Sequence, residues 1–78
     1  MTAEEVLRFK NAAPFRPFEM LLADGRALPV PHPDFISVVE ANEMAHLFDS
    51  SDGEEAIDLM LVVSLRVPLR TIAAPRKR

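Results

Sequence analysis

The chain has 78 residues, no cysteine, no tryptophan, two glycines, seven prolines and a formal net charge of -3. That length holds one small domain, and the missing cysteines exclude disulfides, thiolate zinc sites and a cysteine nucleophile. A chain this small hides only about 60% of its unfolded surface, and the gain nearly balances the ordering entropy, so self-association is expected.

With 49% hydrophobic and 27% charged residues the composition is that of a globular protein. The longest apolar run, Leu59 to Val63, is five residues, against roughly 18 for a membrane span. The opening MTAEEVLRFK is acidic before it is apolar, unlike a secretory signal. A cytoplasmic location and no membrane partner are therefore expected. Residues 1–73 are read as one domain and residues 74–78 as a basic, flexible tail.

Thr2 to Ala13 reads as a helix. Thr2 and Glu5 have capping-box spacing, Val6, Phe9 and Ala13 form a stripe, and Pro14 ends it. The stripe is narrow and the helix short, so it needs tertiary support.

Phe18–Leu22 and Arg26–Val30 flank Ala23-Asp24-Gly25 as a hairpin. A two-residue Asp-Gly loop would set Phe18, Met20 and Leu22 against Ala27 and two prolines. A three-residue loop, a type I turn closed by Gly25 in the left-handed region, sets Phe18 against Val30 and Met20 against Leu28. The second register puts the large apolar groups on one face and is preferred. Residues two apart in a strand point their N–H groups to one edge, so Pro29, Pro31 and Pro33 lack donors on a single side. That side is expected to be an open edge, blunted against aggregation. The competing use is a polyproline-like segment, with His32 among the prolines, offered to a partner groove.

His32 to Phe35 makes a turn, and Ile36–Ala41 and Met44–Asp49 form a second hairpin about Asn42-Glu43. The polar connection Asp49–Glu55 has its acids at the wrong offsets for a calcium loop. Glu55–Val67 is too long for one strand. Asp58 before Leu59-Met60-Leu61 marks a capped helical turn, separating a strand ending near Ile57 from another over Val62–Val67. The fold class is thus mainly β (α+β by count): an N-terminal helix, then five or six short antiparallel strands within residues 17–67. They form a small barrel or a strongly bent sheet.

The stretch PFRPFEMLLADGRALPVPHPDFISV followed by IDLMLVVSL resembles a group of small uncharacterised bacterial proteins. Their pattern is Pro-Phe-x-Pro-Phe, Asp-Gly-Arg, His-Pro-x-Phe-Ile and Ile-Asp-Leu, and here it covers roughly residues 14 to 65. The resemblance implies no activity. The element order is also similar to the Sm-like and Src-homology-type small barrels, and fold alone does not give function.

Charge is segregated along the chain. Residues 27–65 hold eight acids and no lysine or arginine; residues 66–78 hold Arg66, Arg70, Arg76, Lys77 and Arg78 and no acid. One reading is a solvated acidic face with a basic tail. The other docks the tail on the acidic face of a neighbouring subunit. The acidic body disfavours nucleic acid as a partner.

Little here suits catalysis, and no enzyme is expected. The serines have no histidine at a recognisable spacing, and His32 with Asp34 supplies only two metal ligands. No cofactor or metal is expected, since two isolated glycines exclude a phosphate loop. The five phenylalanines read as core, not as a base-stacking platform. The function expected first is a non-enzymatic interaction or assembly module, engaging another copy or a protein partner through the proline edge or the basic end. The alternatives are an Sm-like nucleic-acid binder using the basic C-terminal segment and an acidic, antitoxin-like inhibitor.

Overall fold

The structure, a computed structural model, describes residues 1–68. Helix α1 (Ala3–Lys10) precedes six strands: β1 (Phe18–Leu22), β2 (Ala27–Val30), β3 (Ile36–Val39), β4 (Met44–Phe48), β5 (Glu54–Asp58) and β6 (Val62–Arg66). They form two antiparallel three-stranded sheets, ordered β2-β1-β6 and β3-β4-β5. The helix and six short strands match the expected class, and among the described residues no barrel closes.

The capping box that opens α1 is present. Thr2 Oγ1 accepts the Glu5 N–H at 3.2 Å, and Glu5 Oε1 accepts the Thr2 N–H at 3.1 Å. The helix is shorter than expected, ending where Asn11 donates to the Leu7 carbonyl at 2.8 Å. Ala13 is exposed, so the inward stripe is Ala3 and Val6, with Phe9 packed against it. The Phe9 and Phe18 rings meet edge to face at 5.4 Å.

The β1–β2 hairpin has the three-residue register, Phe18 opposite Val30 and Met20 opposite Leu28. Gly25 supplies the positive φ of 95° that few other residues adopt. Phe18, Met20, Leu22 and Val30 are buried together, as the parity of that register requires. From the other sheet, Ile36, Ala45, Leu47 and Ile57 complete the core.

The second hairpin departs from expectation. Val39 pairs with Met44, leaving a 3-10 turn at Glu40–Asn42 and then Glu43 in the left-handed region at φ 55°. β5 also begins earlier, because Glu54 pairs with Phe48 and its side chain faces solvent. The predicted turn before the last strand is there: Asp58 Oδ1 accepts the Met60 N–H at 2.9 Å and caps a 3-10 turn at Leu59–Leu61.

Glu43 ties these pieces together. Its Oε1 accepts the N–H of Ala3 at 3.0 Å, and its carbonyl accepts the N–H of Leu59 at 3.0 Å. Ala3 is the first residue of α1, where the amide has no acceptor inside the helix, and a carboxylate there also suits the helix dipole. Glu43→Ala should lower unfolding stability by about 1 kcal/mol, the size of a lost helix cap. Glu43→Gln keeps an acceptor and should recover most of it. Denaturant midpoints compare the two, and equal losses would show that the Ala3 bond contributes nothing.

Candidate interaction surface

β2 pairs only with β1, so its outer edge is open among the described residues. Pro29 lies between the pairing positions of Leu28 and Val30 and opposite Glu19. Its nitrogen therefore faces outward, where it has no proton to donate. Pro29 and Pro31 are exposed. His32 is extended, and its Nδ1 accepts the Asp34 N–H at 3.1 Å, capping the 3-10 turn that begins at Pro33. Its ring lies 6.4 Å from Phe15 and 6.5 Å from Phe35. The Asp34 carboxylate is 3.6 Å from the same nitrogen, and no group of three metal-ligating side chains occurs among the described residues. His46, the second histidine, meets Glu54 Oε2 at 2.9 Å across the β4–β5 ladder.

Beyond the proline edge a groove of about 310 Å³ separates the sheets, with Leu28, Leu47 and Phe48 inside it and Asp49 and Glu54 at its rim. Arg26 crosses this seam. Its Nη1 donates to Glu55 Oε2 at 2.8 Å and its Nε to Asp24 Oδ2 at 3.0 Å. The bonds from Glu55 and then Asp24 raise the Arg26 pKa further, so this charge is permanent.

Arg66 lies at the opposite edge of the same sheet. Its guanidinium donates twice to Glu19 Oε1, at 2.6 and 3.2 Å, across the β1–β6 ladder. The candidate residues thus divide, with Pro29 on the open edge of β2 and Arg66 at the other edge, β1 between; contrary to expectation β2 ends at Val30, so Pro31 and His32 follow the strand and Pro33 opens the 3-10 turn. Arg70, Arg76, Lys77 and Arg78 lie outside the described residues.

The sequence reading missed a third feature. Met60, Leu61 and Val63 are 81%, 54% and 63% exposed, whereas Leu59 and Val62 are buried. The signal was present, since they belong to the longest apolar run. A 3-10 turn has three residues per revolution, so a run crossing one cannot send every side chain inward.

The acidic loop is ordered by its own bonds. Asp49 Oδ1 accepts the Ser51 hydroxyl at 2.7 Å, the Gly53 N–H at 2.8 Å and the Ser51 N–H at 2.9 Å. These bonds, the hydroxyl first, hold the Asp49 carboxyl below its ordinary 3.8. A Cβ at Gly53 would fall 2.6 Å from Asp49 Oδ2.

No helix is long and apolar enough to cross a membrane among the described residues. Comparison with protein-family models, curated proteins and solved structures finds no match.

Two outcomes follow from these edges and loops. Replacing Pro29 and Pro31 together by valine restores outward donors, and light scattering should then detect larger aggregates than the parent forms; unchanged scattering would reject the blunting role. Because folding lowers the Asp49 pKa, that group stabilises the fold above pH 3.8 and the contribution fades as pH falls through its folded value. Thermal melts of Asp49→Ala should show a shallower acid loss than the parent, and parallel curves would refute the linkage.

Proposed function

We propose that this protein is a small non-enzymatic assembly module whose partner is a second copy of the same chain. The observation that carries this reading is the patch of Met60, Leu61 and Val63, each more than half exposed, beside a strand with an unpaired edge. Exposed apolar residues this close together along a small domain's chain mark an interface more often than isolated ones do. The size argument points the same way, since a core this limited gains most from burying a further face.

Both histidines hold structural positions, His32 as a turn cap and His46 in a cross-strand pair with Glu54. Arg66 is engaged by Glu19, which lowers its value for a phosphate backbone and weakens the nucleic-acid reading. The element order, with a 3-10 turn before the last strand, supports reading the architecture as an opened counterpart of the Sm-like and Src-homology-type small barrels.

Light scattering over rising concentration should return a mass of two copies or more. A strict monomer at every concentration, unchanged on deleting residues 74–78, would overturn the reading.

A further inference from the structure

We propose that two copies join through β6, antiparallel about a two-fold axis, so that the three-stranded β2-β1-β6 sheet continues into its equivalent in the second copy. The proposal rests on the self-association reading above and adds the surface responsible. The two sheets end in four strands, and three of these are poorly suited to a partner strand. β2 lacks a donor at Pro29 and is followed by Pro31. β3 packs against α1. β5 has the sequence EEAID, and a second copy would set the same acids against them.

β6, with the sequence VVSLR, has neither proline nor acid. Leu22 donates to Arg26, so by alternation it is Glu19 and Leu21 that turn their backbone groups toward β6. Their partners there are Arg66 and Ser64. Leu65, between those two, therefore points its N–H and C=O outward, and no strand among the described residues pairs with that edge. Met60 and Val63 are exposed at its start, while Leu61 turns to the β1–β2 loop, where its carbonyl accepts the Ala23 N–H and it lines a groove with Leu22 and Ile57.

Charge selects the orientation and the occupant. The 3-10 turn that leads into β6 is acidic at its start, where Asp58 caps it and the Glu43 carbonyl holds the Leu59 amide. The strand ends at Arg66, whose charge Glu19 offsets, and the adjoining Val67 shares a groove of about 250 Å³ with Arg8 and Arg16, which keep this end basic. Antiparallel pairing sets the acidic start of one strand against the basic end of the other, twice, as a two-fold interface requires. Parallel pairing would put Arg66 beside its own copy. The sequence changes sign at the same place, with acids and no lysine or arginine over residues 27–65 and bases without acids from residue 66 on.

Sedimentation and light scattering of the full chain, with Val63→Lys and Met60→Lys beside the parent, test this. The parent should form a dimer, and Val63→Lys should raise the dissociation constant by about tenfold or more, as lysine adds to the positive end it meets. The Leu65 amide should become protected from hydrogen exchange as concentration rises. Both replaced side chains are exposed, and thermal melts verify that the variants fold. A dimer whose constant is unchanged in both variants, with Leu65 exchange independent of concentration, removes β6 from the interface and leaves self-association standing. A monomer throughout overturns both.

Discussion

Ala3 starts the helix with an amide that has no acceptor within it, and Glu43, forty residues further along the chain, provides one. An eight-residue helix with a narrow apolar stripe does not hold itself together in water. Its stability comes from what it touches, and Glu43 sets where it begins. To reach Ala3 the glutamate stands in the left-handed region, a conformation that costs a non-glycine residue roughly 1 kcal/mol or more. The same residue also holds the Leu59 amide through its carbonyl. One position thus fixes the helix start, the β3–β4 turn and the turn that launches β6.

The two sheets share a core but no continuous ladder. The proline-bearing strand ends one sheet, and the side chains that link it to the other sheet are those of the Arg26–Glu55 ion pair, not a backbone ladder. Exposed ion pairs of this kind are modest contributors. The sheets are therefore joined chiefly by their buried faces, with Met20, Val30, Ile36 and Leu59 fully buried at the junction. The strands at the sheet edges differ in kind: a proline on β2, acids on β5, and neither on β6.

Features decided by local rules were legible in the sequence. The β1–β2 register could be read because one residue of slip would have moved Phe18 and Met20 to the opposite face from Val30. The turn at Leu59–Leu61 was readable from its Asp58 cap, and the helix start from Thr2 and Glu5. Long-range pairings were not: nothing in the spacing of Glu19 and Arg66, or of Arg26 and Glu55, announces that folding brings them together. Glu43 looked like an ordinary turn residue because its partner lies in another element. The open edge was legible at Pro29, but the strand stops at Val30, so Pro31 lies beyond it and Pro33 opens a 3-10 turn instead of extending the edge. The apolar half of the candidate surface was hidden, because hydrophobic residues in a predicted strand were assigned to the core.

The two glycines occupy turns for opposite reasons. At Gly25 the φ of 95° is positive, with no atom close to where a Cβ would be, so the backbone alone restrains that position. At Gly53 the φ is unremarkable, and the space for a side chain is already taken by the Asp49 carboxylate. Position 53 is therefore tied to the identity of residue 49, not to backbone geometry. Among divergent chains that keep this hairpin, 49 and 53 should change as a pair, while residue 25 varies alone.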